Sequence, residues 1–135
     1  MSKRICSILI PYKTSEAGIL VFLQKRAEDA LRGQGMFGFF GGGAENDENI
    51  EQTLEREIQE ELSIAPKEYK FFGTYESEGA ILSVFLMEVK DDFELTIKVN
   101  EGEYGKFFDE QESQAETKLS ETDKRILRDF CQTKQ

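Results

Sequence analysis

Six glycines fall between Gly33 and Gly43, and an apolar stripe at four-residue spacing, Ile50, Leu54, Ile58 and Leu62, follows close behind. With Met36, Phe37, Phe39 and Phe40 set among the glycines, the first segment reads as a short strand entering a loop whose backbone passes close to something. The stripe predicts a helix over Asn49–Leu62 with one packing face. Asn46, Asp47 and Asn49 are candidate N-caps, Gln52 stands in capping-box position to Asn49, and Pro66 follows the far end. The loop is therefore the first place to look for chemistry.

The flanking sequence is rich in strand signals. Arg4 to Tyr12 and Gly18 to Lys25 read as two paired strands around the turn-like Thr14–Gly18. Glu68 to Ser77 and Ile81 to Val89 read as a hairpin joined near Glu78-Gly79, and Glu94 to Val99 as one further strand. Lys106 to Phe108 is a short apolar return, and the acidic connector Asp109 to Lys118 receives no assignment. Ser120 is positioned to cap a last helix through Ile126, Leu127 and Phe130. Strands with one helix in the middle and one at the end predict an α+β fold, a sheet covered by helices.

The length of 135 residues suits one domain spanning 1–135, with a core that needs no disulfide or metal staple. There are 27 acidic against 17 basic residues, no histidine and a net charge of -10, which opposes binding to a nucleic-acid polymer. The longest apolar run, Ile19 to Leu23, is far too short for a membrane span. Cys6 and Cys131, at opposite ends and without CxxC spacing, read as two reduced thiols of a cytoplasmic protein.

On the central helix Glu57, Glu60 and Glu61 stand at i, i+3 and i+4, so their carboxylates share one side, next to the apolar stripe. Like charges at this spacing repel unless cations neutralise them, and Arg56 can offset only one. Carboxylate oxygens without histidine or thiolate suit a hard divalent ion, Mg²⁺ or Mn²⁺. The competing reading of the triplet alone is a solvated acidic face.

The frame around the triplet decides between them. Gly42 is followed by Glu48, then Arg56, then Glu57-Ile58-Gln59-Glu60-Glu61, with Ile64 beyond. This pattern resembles the Nudix box, GX5EX7REUXEEXGU with U a bulky aliphatic, and departs from it where Ser63 replaces the last glycine. Chance coincidence of the glycine and charged positions has a probability on the order of 10⁻⁴. The resemblance is specific over Gly41 to Ile64. It implies a Nudix-type α/β/α sandwich with a mixed sheet flanked by helices. It also implies a Mg²⁺- or Mn²⁺-dependent hydrolase that splits the pyrophosphate bond of a nucleoside diphosphate linked to another group, by water attack at phosphorus. A nucleoside triphosphate, an oxidised nucleotide or a nucleotide sugar is the expected substrate. The alternative is a non-catalytic nucleotide-sensing or partner-binding module.

By position, the resemblance implies Gly41, Glu57, Glu60 and Glu61 as metal ligands, joined by Glu101 or Glu103 from a downstream loop. Glu57 is either ligand or water-activating base. With Glu60, Arg56 and Glu48 it makes the expected catalytic set, Arg56 orienting Glu48 and its neighbours through charge-assisted hydrogen bonds. Phe37, Phe39, Tyr75 and Tyr104 are candidates to stack a nucleobase, with burial in the core as the alternative for the phenylalanines. Lys25, Arg26 and Arg32 are candidates to meet phosphate, with plain solubility as the alternative. Of these, Arg26, Phe39, Tyr75 and Tyr104 form the expected substrate-binding set. Where ADP-ribose and dinucleoside-polyphosphate members carry a diagnostic proline or tyrosine, this chain has Gly79 and Ala80, which gives those substrates no support. Proteins of this kind are commonly homodimers, although no surface declares itself an interface.

Overall fold

The computed structural model describes residues 3–30, 33–77 and 79–133. Arg4–Ser15 forms β1 and Gly18–Lys25 forms β2, paired antiparallel from Tyr12↔Val21 to Ser15↔Gly18. From Cys6 to Pro11 every residue of β1 is buried, as expected of a strand covered on both faces. The glycine segment splits into Phe37–Gly38, β3, on the end of β2, and Phe40–Gly43, β4, antiparallel to the first half of β1. Lys70–Ser77 (β5) and Ala80–Glu88 (β6) form the expected hairpin, whose Glu78 lies outside the described residues. The first of these strands starts two residues later than the apolar pattern predicts, because Glu68 takes a left-handed φ of 56°. β6 runs parallel to β1, with Arg4 opposite Ala80 and Ile8 opposite Val84. Tyr104–Asp109, β7, adds to β2 and completes a seven-stranded mixed sheet of order β3-β2-β1-β6-β5, with β4 on β1 and β7 on β2.

Alternation along the strands divides the core between two faces. On one, Leu9, Phe22, Phe40 and Phe85 meet Leu54, Ile58 and Leu62 of α1, which spans Ile50–Leu62. On the other, Ile8, Ile10, Tyr12, Leu23 and Val84 meet Ile126, Leu127 and Phe130 of α4, spanning Glu121–Thr133. The sheet is thus sandwiched by helices, the α+β architecture that the sequence pattern predicts. Cys6 and Cys131 are both free and buried.

The start of α1 is the predicted capping box: Asn49 Oδ1 accepts from Gln52 N at 2.8 Å, and Gln52 Oε1 accepts from Asn49 N at 2.9 Å. Two segments differ from expectation. Glu94 to Val99 is not a strand; Phe93–Thr96 is instead a short helix, α2. Phe93 sits edge-on to Phe22 at 5.3 Å, and Thr96 Oγ1 donates to the Phe93 carbonyl, closing a turn that pairs with no strand among the described residues. The unassigned connector contains Glu110–Ala115, α3, started by a reciprocal pair of bonds between Asp109 and Glu112.

Candidate active site

β4 leads into α1 through the turn at Asn46, and the two elements pack so that the glycines face the helix acids. Gly41 has φ 134°, and a Cβ there would collide with the Ser7 carbonyl oxygen and Ile8 Cα, so the position admits only glycine. Its N–H donates to Glu61 Oε1 at 2.8 Å. At Gly42 the space of a missing Cβ is taken by the Glu57 carboxylate. Two carboxylates of one helix face are therefore held against the main chain of one loop.

Arg56 ties this unit together. Its Nε donates to Glu48 Oε2 at 2.7 Å and its Nη2 to Glu48 Oε1 at 3.0 Å, a fork on one carboxylate. The same guanidinium reaches Glu57 Oε2 at 2.9 Å and the Gly43 carbonyl at 3.0 Å. Glu60, with a half-exposed side chain, stands at the outer edge, 3.5 Å from Nη1. Thr53 Oγ1 and the Glu45 N–H also donate to Glu48, whose carboxyl is drawn down to about 2, chiefly by the bonds from Arg56. Burial acts the other way on the remaining pair. It raises the Glu57 carboxyl despite Arg56, and it pushes Glu61 up to about 8, against the Gly41 N–H and with added repulsion from Glu57 and Glu101.

This unit forms one wall of a cavity of about 740 Å³. Gly41, Gly42, Glu57 and Glu61 line it on one side, Phe37, Phe39 and Arg26 towards one end, and Arg4, Ser77 and Ala80 towards the other. Arg26 lies over Gly33 and Gly38, where any Cβ would strike its side chain. Phe37 and Phe39 both belong to the buried core and line the cavity. Glu101 lines the cavity within electrostatic reach of Glu61. The loop carrying it is strapped to the end of α1 by Asn100, whose Nδ2 donates to the Glu60 carbonyl at 2.9 Å and to Ser63 Oγ at 2.8 Å.

Other expected residues stand elsewhere. Glu103 is engaged by Lys25 at 3.3 Å and is off the cavity wall. Tyr75 donates its hydroxyl to Asp129 Oδ2 at 2.7 Å beneath Arg125 of α4, also off the wall. Tyr104 is exposed, edge-on to Phe37 at 6.2 Å. Arg32 lies outside the described residues. In their place the cavity gains Arg4, Gln24 and Asp123, which sequence reasoning passed over. Asp123 at the start of α4 is pushed up to about 6, burial prevailing over the opposite pull of Arg26 and Ser120. No periodicity or spacing marks these three, since each reads alone as an ordinary strand or helix-end residue.

Among the described residues no three acids converge closely enough to hold an ion by themselves. The donor set still fits Mg²⁺, which is typically bound by one or two carboxylates with its other positions filled by water and substrate phosphate. Glu57 and Glu61 supply the two carboxylates, held beside the main chain of Gly41 and Gly42.

The chain belongs to the Nudix family: the family's NUDIX domain model matches residues 3–130. No curated protein sequence matches the chain. The NUDIX domain of Shewanella oneidensis NrtR, solved with ADP ribose, superposes with a TM-score of 0.78 at 13% identity, over 100% of this chain and 90% of that one. A MutT structure from a study of the Aliivibrio salmonicida and Vibrio cholerae enzymes gives 0.76 at 19% identity, over 98% and 99%. A C. elegans Ap4A hydrolase gives 0.70 at 16%, over 96% of each. At these identities the likeness is one of fold. Nudix proteins are generally pyrophosphohydrolases that use divalent metals, and the sheet, flanking helices and glycine-loop-to-helix unit here are those of the hydrolase fold.

Proposed function

We propose that residues 1–135 form one Mg²⁺- or Mn²⁺-dependent hydrolase domain that cleaves the pyrophosphate bond of a nucleoside diphosphate linked to another moiety. The observation that carries this reading is the pair Glu57 and Glu61, buried against Gly41 and Gly42 on the wall of a nucleotide-sized cavity. Among the described residues Glu61 has no ion pair, and Arg56 is already engaged by Glu48 and Glu57. A bound divalent ion would neutralise phosphate oxygens and lower the pKa of water.

The chain's own residues do the rest. The Gly41 N–H holds Glu61 and Arg56 holds Glu57 before any ligand arrives, so little reorganisation accompanies binding. Arg56 fixes Glu57 and, through the Gly43 carbonyl, the end of the loop. Glu101, free of ion pairs among the described residues, faces the cavity and accepts the proton of the attacking water, while Glu60 stands off the cavity wall, 3.5 Å from Arg56 Nη1. Phe39 and Arg26 border the end that receives the nucleoside.

Turnover of a nucleoside triphosphate, an oxidised nucleotide and a nucleotide sugar, each with Mg²⁺ and Mn²⁺, tests the proposal. Wild type should turn over at least one class, and Glu57→Gln should cut kcat on the order of 10²-fold or more. Wild-type inactivity on all three would support a nucleotide-sensing module instead. A Glu57→Gln protein as fast as wild type would remove Glu57 from the chemistry.

A further inference from the structure

Only Arg4 and Arg26 contribute positive charge to the cavity wall among the described residues, and their surroundings differ. Arg26 faces the carboxyls of Asp123 and Glu61. Arg4 has no acidic partner among the described residues, in a chain of net charge -10 whose Lys3, Lys25 and Arg56 are all in ion pairs. Its place is nonetheless defined. The Arg4 N–H donates to the Gly79 carbonyl at 2.9 Å, and a Cβ on Gly43 would come within 2.8 Å of Arg4 Nη2 and 3.3 Å of Nε and Cζ. The guanidinium thus lies over the glycine that ends β4, in room opened by the missing side chain.

The sheet register says what lies between this cation and the other end of the cavity. Arg4, Cys6 and Ile8 point from the same face of β1 into the cavity, and β4 runs alongside with Gly41 opposite Ile8 and Gly43 opposite Cys6. From Ile8 to Arg4 the strand rises about 13 Å, at roughly 3.3 Å per residue. A substrate with its nucleoside beside Phe39 and Arg26 and its pyrophosphate at Gly41, Gly42 and Glu57 has its far end at Arg4. A guanidinium there favours a group with several negative oxygens and gains nothing from a neutral sugar.

We infer that Arg4, held over Gly43, is an anion clamp that selects nucleotides whose phosphate chain ends in a free phosphate over those that end in a neutral sugar. The inference rests on the proposed hydrolase reading for the direction in which substrate lies, and a binding experiment separates the two. Affinities are measured with Mg²⁺ for an α,β-methylene nucleoside triphosphate, the matching nucleoside diphosphate sugar and the nucleoside monophosphate, on wild type, Arg4→Gln and Arg4→Lys. Arg4→Gln should weaken the triphosphate analogue about tenfold while moving the other two less than about twofold, and Arg4→Lys should recover part of the loss. Equal weakening of all three ligands, or no change for the triphosphate, overturns the clamp. If wild type binds the triphosphate more tightly than Arg4→Gln but hydrolyses no nucleotide, the clamp stands and the hydrolase reading falls. If wild type binds none of the three, both fall.

Discussion

Replacing Asp123 by Asn should make the protein more stable at neutral pH, although it removes a charged group from beside an arginine. In the folded chain the Asp123 carboxyl titrates near 6 against an ordinary 3.8, because burial at the start of α4 outweighs Arg26 and Ser120. The native state therefore holds its proton to higher pH than the unfolded chain does. Stability is fully retained below about pH 4 and is lost as pH rises from there through 6. The gap between 3.8 and about 6 corresponds to about 3 kcal/mol at pH 7 as an upper bound. Partial exposure of the side chain to the cavity reduces the expected cost to about 1–2 kcal/mol. Asparagine keeps the shape without the charge. Urea unfolding of wild type and Asp123→Asn at pH 4, 5.5 and 7, at low protein concentration because the pI is about 4.6, measures the difference directly. The variant should gain about 1–2 kcal/mol at pH 7 and almost nothing at pH 4. Arg26→Gln, by removing the facing cation, should push the Asp123 carboxyl higher and widen the window of loss. An Asp123→Asn protein no more stable than wild type at pH 7, or equally stabilised at pH 4 and 7, would refute the reasoning. Confirmation would mean that this chain keeps a destabilising acid facing its candidate substrate cavity.

Further outcomes follow from the metal and helix-end geometry. Millimolar Mn²⁺ should raise the melting temperature of wild type, since an ion bound only by the native state stabilises it, and should leave a Glu57→Gln/Glu61→Gln double variant unmoved; an equal rise in both would place the ion elsewhere. Ser63 ends α1 with φ 59°, so Ser63→Gly relieves a left-handed strain of about 1 kcal/mol while losing the bond from Asn100 Nδ2. A net gain of about 0.5 kcal/mol in urea unfolding is expected, and Asn100→Ala should be destabilising by about 1 kcal/mol because two bonds at the helix end go with it.

How far the sequence discloses this molecule depends on whether a residue's role is local. The stripe through Leu54 and Ile58 and the Asn49–Gln52 cap act within one helix and are legible, whereas the glycines of β4 are legible as a cluster but their neighbours Ser7, Glu57 and Arg4 are remote in the chain. The Arg56–Glu48 fork follows from the Nudix-box resemblance and not from helical spacing, since Glu48 stands outside α1, eight residues from Arg56. The short helix Phe93–Thr96 is not legible. Its Leu95 points to solvent and its Phe93 to Phe22, so strand-like composition there was no guide once pairing was decided by other strands. α3 had a visible signal, Asp109 followed by Glu112, but buries only Ser113 and so shows no apolar period. Tyr75 and Glu103 show the opposite difficulty. Their residue types suit base stacking and metal binding, yet Asp129 and Lys25, from remote parts of the chain, engage them first. Arg4 and Asp123 come from opposite ends of the chain to one cavity, and only the register of β1 against β4 and β6 and the seating of α4 bring them there. Chemistry carried by one helix is readable from spacing, whereas specificity assembled across a sheet waits for the register. The charge at Arg4 thus has no reading until Gly43 is seen beneath it.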